Sequence, residues 1–376
     1  MRLRRVLTGA VAALFLEAGP SGPGSGQVKA LAYLCPLAFA GAALAAHAAP
    51  PAEGAVPVSL PAGDLADGTF RNPVLVGAQG DVSVVRDGED FYATFGKTLD
   101  VWHSRDLVNW EKIATPNLRG LGSPWAPDIV KHAGTWYIYT TLVDRSRPSG
   151  QQFMNVVITA PRPEGPWSEP VDLDRYNPID PGHATDASGK RYIMYSAGRL
   201  MPLTDDGKAL VGDIPERLST YVGWPYPADW QVECFCLEAP KLLWHDGWLH
   251  MLSAQGGTAG PPTAHMAISA RARDVHGPWQ NNPHNALVHG ISRTGRFVRM
   301  GHGQLVDDAN GDWWMLFTGY NPAIGPGKML LVLPIAWDAD GWPMIKPGAD
   351  VENVMAKPAG TAVPHQGSRA TIASGE

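Results

Sequence analysis

The sequence predicts an all-β fold, a five-bladed β-propeller, and three observations carry this prediction. The 376 residues include 42 Gly, 34 Pro and 14 Trp, a composition typical of many short strands joined by turns. Five segments repeat one design, in which a polar head and a short apolar run precede a glycine turn and an aromatic-rich alternating strand. The turn glycines, Gly88, Gly134, Gly189, Gly247 and Gly311, are 46, 55, 58 and 64 residues apart, which suits one four-stranded blade per repeat.

Each repeat is predicted to begin with a β-hairpin. In chain order the hairpins read DVSVVRDGEDFYATFG, DIVKHAGTWYIYTT, DPGHATDASGKRYIMYSAG, EAPKLLWHDGWLHMLSAQGG and HGQLVDDANGDWWMLFTGY. Outer strands follow the first, second and fourth hairpins in matching form, VWHSRDLVNWE, VITAPRPEGPWSE and AISARARDVHGPWQ. The longest interruption, Leu200 to Glu233, is expected to be an elaborated loop of the third blade. Radial closure of the five blades would remove the exposed sheet edges.

The chain ends are predicted to lie outside the propeller, which we assign to residues 67–350. Residues 1–48 are predicted to be a targeting segment, because Lys29 precedes an uncharged run that ends in the small-x-small site Ala46-His47-Ala48. Residues 49–66 are expected to be a linker and residues 351–376 a flexible tail. The uncharged run, residues 30–46, is at the lower length limit for spanning a membrane. We therefore expect export to the periplasm or medium after cleavage, without stable membrane insertion.

Charge and cysteine content exclude or disfavour several classes of function. The net charge is −6 and no Lys/Arg run follows Arg5, so a nucleic-acid partner is not expected. Cys234 and Cys236 would point to one face of a strand, where a disulfide would be strained, and buried thiols are the expectation.

One ionisable residue heads each predicted hairpin. Counting back from the turn glycine gives Asp81, Asp128, Asp180, Glu238 and His302, at distances of 7, 6, 9, 9 and 9 residues. A single Asp before a turn is more often a local cap than a catalyst. The first strand of a propeller blade lines the central channel, however, so five such residues should converge at one mouth of it. Carboxylates focused in one concave site favour proton-transfer chemistry.

The motif pieces DxSVVRDGxxFY, WAPDI, IDP, EAPKL and GHGQLV occur in this order along the chain. As a set they resemble glycoside hydrolase family 43 and its five-bladed propeller relatives, over residues from about Asn72 to about Pro343. The resemblance implies inverting hydrolysis of pentose glycosides, typically β-xylosides or α-L-arabinofuranosides of plant-type polysaccharides or oligosaccharides.

Residue roles follow from the same resemblance. It implies that Asp81 is the general base, that Asp180 tunes and orients, and that Glu238 is the general acid. His302 falls where the family often has a channel histidine, sometimes beside a bound cation such as calcium; no cofactor is otherwise expected. Lys328 corresponds to a family arginine near the substrate, and a lysine is a point charge rather than a planar fork. Asp128 is expected to be a structural or subsite residue.

The chemistry and its alternatives can also be argued from the residues. Cleaving an acetal by inversion needs one protonated carboxyl at the leaving oxygen and one ionised carboxylate at a water on the opposite face. Trp125 and Trp102 are candidate sugar-stacking residues, with packing within a blade as the alternative for both. Glu233 in QVECF is a second candidate acid, because a related retaining fructosidase family has an ECP acid motif. A propeller that binds a glycan without cleaving it is the alternative from another functional class.

Overall fold

The computed structural model describes residues 63–77, 80–212, 219–290 and 295–358. The predicted targeting segment, most of the predicted linker and the last 18 residues of the predicted tail lie outside these ranges. In the described part of the chain the only helical element is the 3-10 turn Ser196–Gly198, and no helix there is long and apolar enough to cross a membrane.

The described residues form a five-bladed β-propeller of antiparallel sheets, as predicted. The first blade contains strands Val82–Asp87, Asp90–Phe95, Val101–Ser104 and Glu111–Ala114. The second contains Ser123–His132, Thr135–Val143, Phe153–Ala160 and Val171–Tyr176. The third contains Gly182–Thr185, Arg191–Tyr195 and Arg199–Pro202.

The last two blades are larger. The fourth contains Glu238–His245, Trp248–Gln255, Met266–Ala272 and Gln280–Asn281, with Val288–His289 also paired to its third strand. The fifth contains Val298–Asp307, Trp313–Tyr320, Met329–Trp337 and Pro343–Ile345, and its third strand also pairs with Leu75–Val76 from the start of the domain.

All five predicted hairpins are present, and their turns explain the glycines. The turn residues have φ of 67° at Gly88, 80° at Gly134, 87° at Gly189, 70° at Gly247 and 84° at Gly311. This left-handed region is open to glycine at no steric cost, which fixes the residue type at each turn.

The interruption of the repeat is shorter than predicted. Leu200 to Pro202 belong to the third strand of the third blade, so the expected loop from Leu200 begins only after Pro202. The described residues that follow are largely irregular, with isolated bridges between Leu203 and Leu210 and between Arg199 and Ser219.

The two ends of the domain pair with each other in a separate two-stranded sheet. Strand Thr69–Arg71 pairs with Val354–Ala356, and Lys357 Nζ contacts Asp64 Oδ2 at 2.7 Å and Asp106 Oδ2 at 3.3 Å. The structured domain therefore extends past residue 350, where the sequence placed its boundary, to at least Pro358.

The core lies mainly between blades, where the two faces of each sheet meet their neighbours. Phe95, Phe317 and Phe70 are buried in one cluster that joins the first and fifth blades. Trp136 and Ile138 of the second blade pack with Leu99 in another. Burying both faces of every sheet leaves the inner edges free to build the channel wall.

Candidate active site

The inner strands carry backbone kinks near their heads. In four blades a non-glycine residue there has positive φ: 37° at Ala126, 60° at Asp180, 48° at Ala239 and 44° at His302. Three of these kinks coincide with register shifts in the sheet. A bulge of this kind re-aims side chains, and the left-handed conformation costs about 1 kcal/mol or more at a non-glycine residue. The kinks turn the head residues toward the propeller axis.

Four of the five predicted head residues meet there, in what we call the upper layer: Asp81, Asp180, Glu238 and His302. The His302 ring lies between two carboxylates, with Nδ1 3.5 Å from Asp81 Oδ1 and Nε2 3.3 Å from Glu238 Oε2. Atoms of Asp180, Glu238 and His302 all lie within 4.8 Å of one another. Asp81 and Glu238 therefore face each other across the ring rather than touching.

Lys328 completes the environment of Asp81. Its ammonium forms an ion pair with Asp81 Oδ1, and both side chains are largely buried. Burial alone would raise the pKa of Asp81, but the charges of His302 and Lys328 outweigh it and hold that pKa well below its ordinary value. Asp81 is therefore ionised at neutral pH.

Asp180 is in the opposite electrostatic state. Its side chain is buried, and Oδ2 accepts a 3.3 Å hydrogen bond from the Ala239 amide. Burial, followed by the charge of Glu238, raises the pKa of Asp180 to about 7. Asp81 and Asp180, two carboxyl groups of one channel, thus have environments that push their pKa values in opposite directions.

The pKa values of the two basic groups of the site, His302 and Lys328, are shifted by the same neighbouring carboxylates. Burial lowers the pKa of His302, but the charge of Asp81 and the hydrogen bond to Glu238 outweigh it and leave the pKa above its ordinary value. Burial likewise opposes ionisation of Lys328, and Asp81 raises its pKa again.

A second set of polar side chains lies directly beneath, in what we call the lower layer: Ser83, Asp128, Lys241 and Gln304. Lys241 Nζ lies 3.2 Å from Asp128 Oδ1 and donates to Pro127 O at 2.6 Å. Asp128 Oδ2 accepts from the His183 amide at 2.7 Å, and Ser83 Oγ lies 3.0 Å from Asp128 Oδ1.

The lower layer joins all five blades. Gln304 Oε1 lies 2.8 Å from Ser83 Oγ and accepts from the Val84 amide at 2.9 Å, which ties the fifth blade to the first. In the third blade the inner position is Gly182, where a Cβ would lie 1.8 Å from Pro240 O, so the strands approach too closely for any side chain.

Asp128 therefore differs from the other predicted head residues. Its side chain is 2% exposed, and its oxygens accept hydrogen bonds from protein donors. Of the two roles predicted for it, structural residue or subsite residue, these contacts favour the structural one. The second inner strand begins at Ser123, and its kink at Ala126 brings Ala126 rather than Asp128 to the upper level. The count of 6 residues from Gly134, the smallest of the five, was the signal of this difference.

The upper layer opens into a cavity of about 300 Å³. Trp125, Tyr320 and Thr258 line it together with Asp81 and Lys328. Trp102 lies elsewhere, on the third strand of the first blade, edge-on to Phe95 at 6.4 Å between ring centroids. Of the two tryptophans, Trp125 is placed to meet a ligand and Trp102 to pack within its blade.

The opposite end of the channel has a larger cavity, about 630 Å³, lined by the other ends of the inner strands. Its charges are matched in pairs: Arg86 Nη2 lies 2.7 Å from Asp307 Oδ2, and Lys131 Nζ lies 2.5 Å from Asp87 Oδ2. The smaller cavity is lined by Asp81, whose pKa is strongly lowered, and this marks it as the reactive one.

Glu233, the second candidate acid, anchors a loop. It is exposed, and Oε2 accepts hydrogen bonds from the amides of Ala259 at 2.6 Å and Gly260 at 3.0 Å. The prediction of buried thiols beside it is wrong: Cys234 and Cys236 form a disulfide with Cα atoms 5.2 Å apart, and both are partly exposed. The segment is a loop and not a strand, so the alternation on which the prediction rested does not apply.

Sequence reasoning missed three polar residues near the axis: Lys241, Gln304 and His265. Lys241 had a signal, since a lysine in the apolar run EAPKLL is rarely tolerated without a buried partner. His265 had none; it is fully buried and its ring stacks on His302 at 5.1 Å. Burial, followed by the charge of His302, holds the pKa of His265 well below its ordinary value, so a neutral ring lies against the channel histidine.

Comparison with known proteins extends these observations. Residues 70–343 match the family model of glycosyl hydrolases family 43. The chain is 29% identical over 304 residues to a non-reducing-end α-L-arabinofuranosidase of Bacteroides ovatus, and 30% identical over 306 residues to a xylosidase/arabinosidase of Butyrivibrio fibrisolvens. The matched segments cover 75% and 74% of this chain, and 54% and 56% of those proteins.

The fold is shared with a solved structure of the same family. The crystal structure of a family 43 protein from Bacillus licheniformis superposes with a TM-score of 0.68 at 30% identity, covering 78% of this chain and 60% of that one. The chain thus spans just over half the length of the relatives that it matches.

Proposed function

Because the chain belongs to glycosyl hydrolases family 43, we propose that it hydrolyses pentose glycosides, β-xylosides or α-L-arabinofuranosides, by a single displacement that inverts the anomeric carbon. One observation carries the proposal: Asp81 and Glu238 contact different nitrogens of the His302 ring, so the ring holds the two carboxyl groups apart, and inversion requires such a separation between base and acid. The relatives' names, xylosidase and arabinofuranosidase, supply the substrate class.

In this reaction Asp81 is the general base. It accepts a proton from a water molecule while the water oxygen forms a bond to the anomeric carbon. The lowered pKa of Asp81 keeps the carboxylate ready to accept that proton, and Lys328 holds it in place.

Glu238 is the general acid. It donates its proton to the glycosidic oxygen as the bond from that oxygen to the anomeric carbon breaks, so the leaving sugar departs as a neutral alcohol. Atoms and charge balance, since the proton gained by Asp81 equals the proton lost by Glu238, and both carboxyl groups exchange protons with water afterwards.

Asp180 acts without transferring a proton in the reaction. Its buried carboxyl group lies next to Glu238 and accepts a hydrogen bond from the Ala239 amide. Asp180 therefore fixes the backbone directly after the acid. The His302 ring lies between the base and the acid and keeps them apart, and Trp125 offers an aromatic face to the sugar.

A calcium ion beside His302 stays a prediction. Calcium takes six to eight oxygen ligands, whereas the upper layer offers two carboxyl groups and an imidazole beside it. These side chains alone supply fewer oxygen ligands than calcium takes, and we assign no step of the reaction to a cation.

Export and a carbohydrate partner belong to the same proposal. The Cys234–Cys236 disulfide supports an oxidising compartment, since such bonds persist mainly in exported proteins. Fractionation of cells expressing the full chain, with N-terminal sequencing of the mature protein, tests export; recovery only in the cytoplasm at full length contradicts it.

The reaction is tested with aryl β-xyloside, aryl α-L-arabinofuranoside and arabinan oligomers, followed by proton NMR. We expect the first product anomer to be inverted relative to the substrate. The retained anomer as first product would remove the base role of Asp81 and favour the retaining fructosidase-type alternative. Binding of these sugars without any turnover would establish the glycan-binding alternative.

A further inference from the structure

An exposed apolar surface stands beside Glu238. Among the described residues Phe235 is the only aromatic side chain that is largely exposed, at 47%, and Val222 nearby is 77% exposed. The Tyr226 ring lies 5.9 Å from the Phe235 ring with an angle of 30° between their planes. We call Val222, Tyr226 and Phe235 the aromatic rim.

The rim is held rigidly from below. Gly223 underlies the Phe235 ring, since a Cβ at that glycine would lie 2.7 Å from Phe235 Cε1. The Gln255 side chain clamps Trp224 by accepting from its amide at 3.0 Å and donating to its carbonyl at 2.8 Å. Gln255 directly follows Ala254, the residue paired with Glu238 in the sheet, so the rim is built on the strand beside the acid.

Phe235 is fixed from both sides along the chain. The Cys234–Cys236 disulfide brackets it, and Glu233, two residues earlier, accepts hydrogen bonds from the amides of Ala259 and Gly260. These contacts join the rim to the segment that contains Thr258, which lines the cavity of Asp81 and Lys328. A contiguous exposed apolar surface that is ordered in this way is a candidate binding face.

The position of Phe235 selects the occupant. Only two residues lie between it and Glu238, which limits the distance between their Cα atoms to about 11 Å. The general acid contacts the oxygen of the leaving group, so the sugar on the far side of that oxygen lies on the side of Glu238 away from Asp81. Pyranose and furanose rings expose apolar C–H faces that pack on aromatic rings.

We propose that the aromatic rim binds the leaving-group sugar of an oligosaccharide, with Phe235 as the residue that stacks on it. This inference rests on the proposed function, because it assumes that Glu238 faces the leaving group. Phe235 would then determine specificity for substrates with a second sugar unit. The cavity of Trp125 would receive the other sugar, whose anomeric carbon is attacked by water.

The test compares Phe235→Ala, Phe235→Tyr and the wild-type protein on a pentose disaccharide and on the free pentose. An aromatic contact contributes about 0.5–1.5 kcal/mol, so we expect kcat/KM for the disaccharide to fall about 2- to 10-fold in Phe235→Ala. Inhibition by the free pentose should be unchanged, and Phe235→Tyr should keep the wild-type value. Val171→Ala, an exposed apolar residue on the outer strand of the second blade, is the matched control and should change neither quantity.

A second variant guards against a purely structural effect. Replacing both Cys234 and Cys236 by Ser removes the disulfide around Phe235 but keeps the Phe235 side chain. We expect this variant to lower kcat/KM for the disaccharide without changing inhibition by the free pentose. Equal losses on disaccharide and free pentose, or no loss on either in Phe235→Ala, would overturn the proposal.

Calorimetric binding to the Asp81→Asn variant separates this inference from the proposed function. If the wild-type protein cleaves nothing but disaccharide binding still depends on Phe235, the rim stands and the proposed reaction fails. If Asp81→Asn and Asp81→Asn/Phe235→Ala bind the disaccharide equally, the rim fails whatever the wild-type protein hydrolyses.

Discussion

The upper and lower layers of the channel use the same strands for opposite purposes. In the upper layer three carboxyl groups meet two basic groups, His302 and Lys328, and the pKa of one of these carboxyl groups, Asp180, is raised. In the lower layer one carboxylate, Asp128, meets one ammonium, Lys241, and both have further hydrogen-bond partners. Two or three residues along each inner strand separate the layers. The difference teaches that a surplus of buried acidic groups over basic groups marks the reactive layer, whereas equal numbers mark the layer that supports it.

The largest effect is expected in the upper layer, where variants of the acid and of the base should lose activity on different sets of substrates. Asp81→Asn should lower kcat about 10²- to 10⁴-fold on natural oligosaccharides and activated aryl glycosides alike, because the water needs a base whatever leaves. Glu238→Gln should show a loss of that size on oligosaccharides but much less on aryl substrates, whose leaving groups depart as stable anions. Initial rates for both variants on both substrates measure this.

Two outcomes would contradict this division of roles. Equal losses on both substrate types for Glu238→Gln would remove it as the acid. A leaving-group-dependent loss for Glu233→Gln would give that role to the loop residue. Asp180→Asn should fall between the two patterns, because it positions the acid.

The lower layer should respond in stability. Lys241→Met leaves the Asp128 charge buried without its partner, and breaking a buried ion pair in this way costs about 3–5 kcal/mol in the free energy of unfolding. Urea unfolding followed by tryptophan fluorescence measures the change. The Asp128→Asn/Lys241→Met double variant should recover part of the loss, and Arg119→Ala at the exposed pair with Glu169 should leave the midpoint unchanged. A Lys241→Met protein as stable as the wild type would show that the pair does not hold the blades.

A smaller effect, of opposite sign for two carboxylates, should appear in the pH dependence of stability. The pKa of Asp180 is raised from 3.8 to about 7 in the folded protein, so its contribution to stability is fully present below pH 3.8 and lost as pH rises through 7. Asp180→Asn removes this loss and should make the protein more stable than wild type at pH 8, by roughly 1–2 kcal/mol. The gain should shrink at pH 5.

Asp81 has a lowered pKa, so its contribution is present above pH 3.8 and lost only as pH falls through the folded value. Asp81→Asn should therefore be less stable than wild type at pH 5 and at pH 8. Urea midpoints for both variants at the two pH values measure these changes. A change in stability of the same sign for both variants at pH 8 would contradict the assigned electrostatics.

The smallest effect concerns the two tryptophans. Trp125→Ala should raise KM about 2- to 10-fold, since a stacked ring contributes about 0.5–1.5 kcal/mol. Trp102→Ala should lower the unfolding midpoint without changing KM, because the ring packs within the first blade. A raised KM for Trp102→Ala would place that ring in the site instead.

The sequence predicted the repeat well because each hairpin depends on local rules. Turn glycines and alternating apolar residues act over a few neighbours, and all five hairpins are present. The meeting of Asp81, Asp180, Glu238 and His302 followed from symmetry, since equivalent residues of a ring face one axis. What failed depends on long-range contacts or local irregularity. Asp128 moved one layer deeper because a kink at Ala126 shifts its strand, and Cys234 and Cys236 were misjudged because their segment is not extended.

Ring closure at the fifth blade has a consequence for the order of synthesis. Leu75 pairs with Leu330, a separation of 255 residues (330 − 75), so a strand made at the start of the domain stays unpaired until almost the whole domain exists. Contacts this distant in sequence form late and slowly. Lys328, the partner of Asp81, directly precedes the strand that closes the ring. Synthesis therefore completes the upper layer with Lys328 just before it makes the strand that closes the ring. A chain shortened before this point would lack both the closing strand and the last charged group of the site.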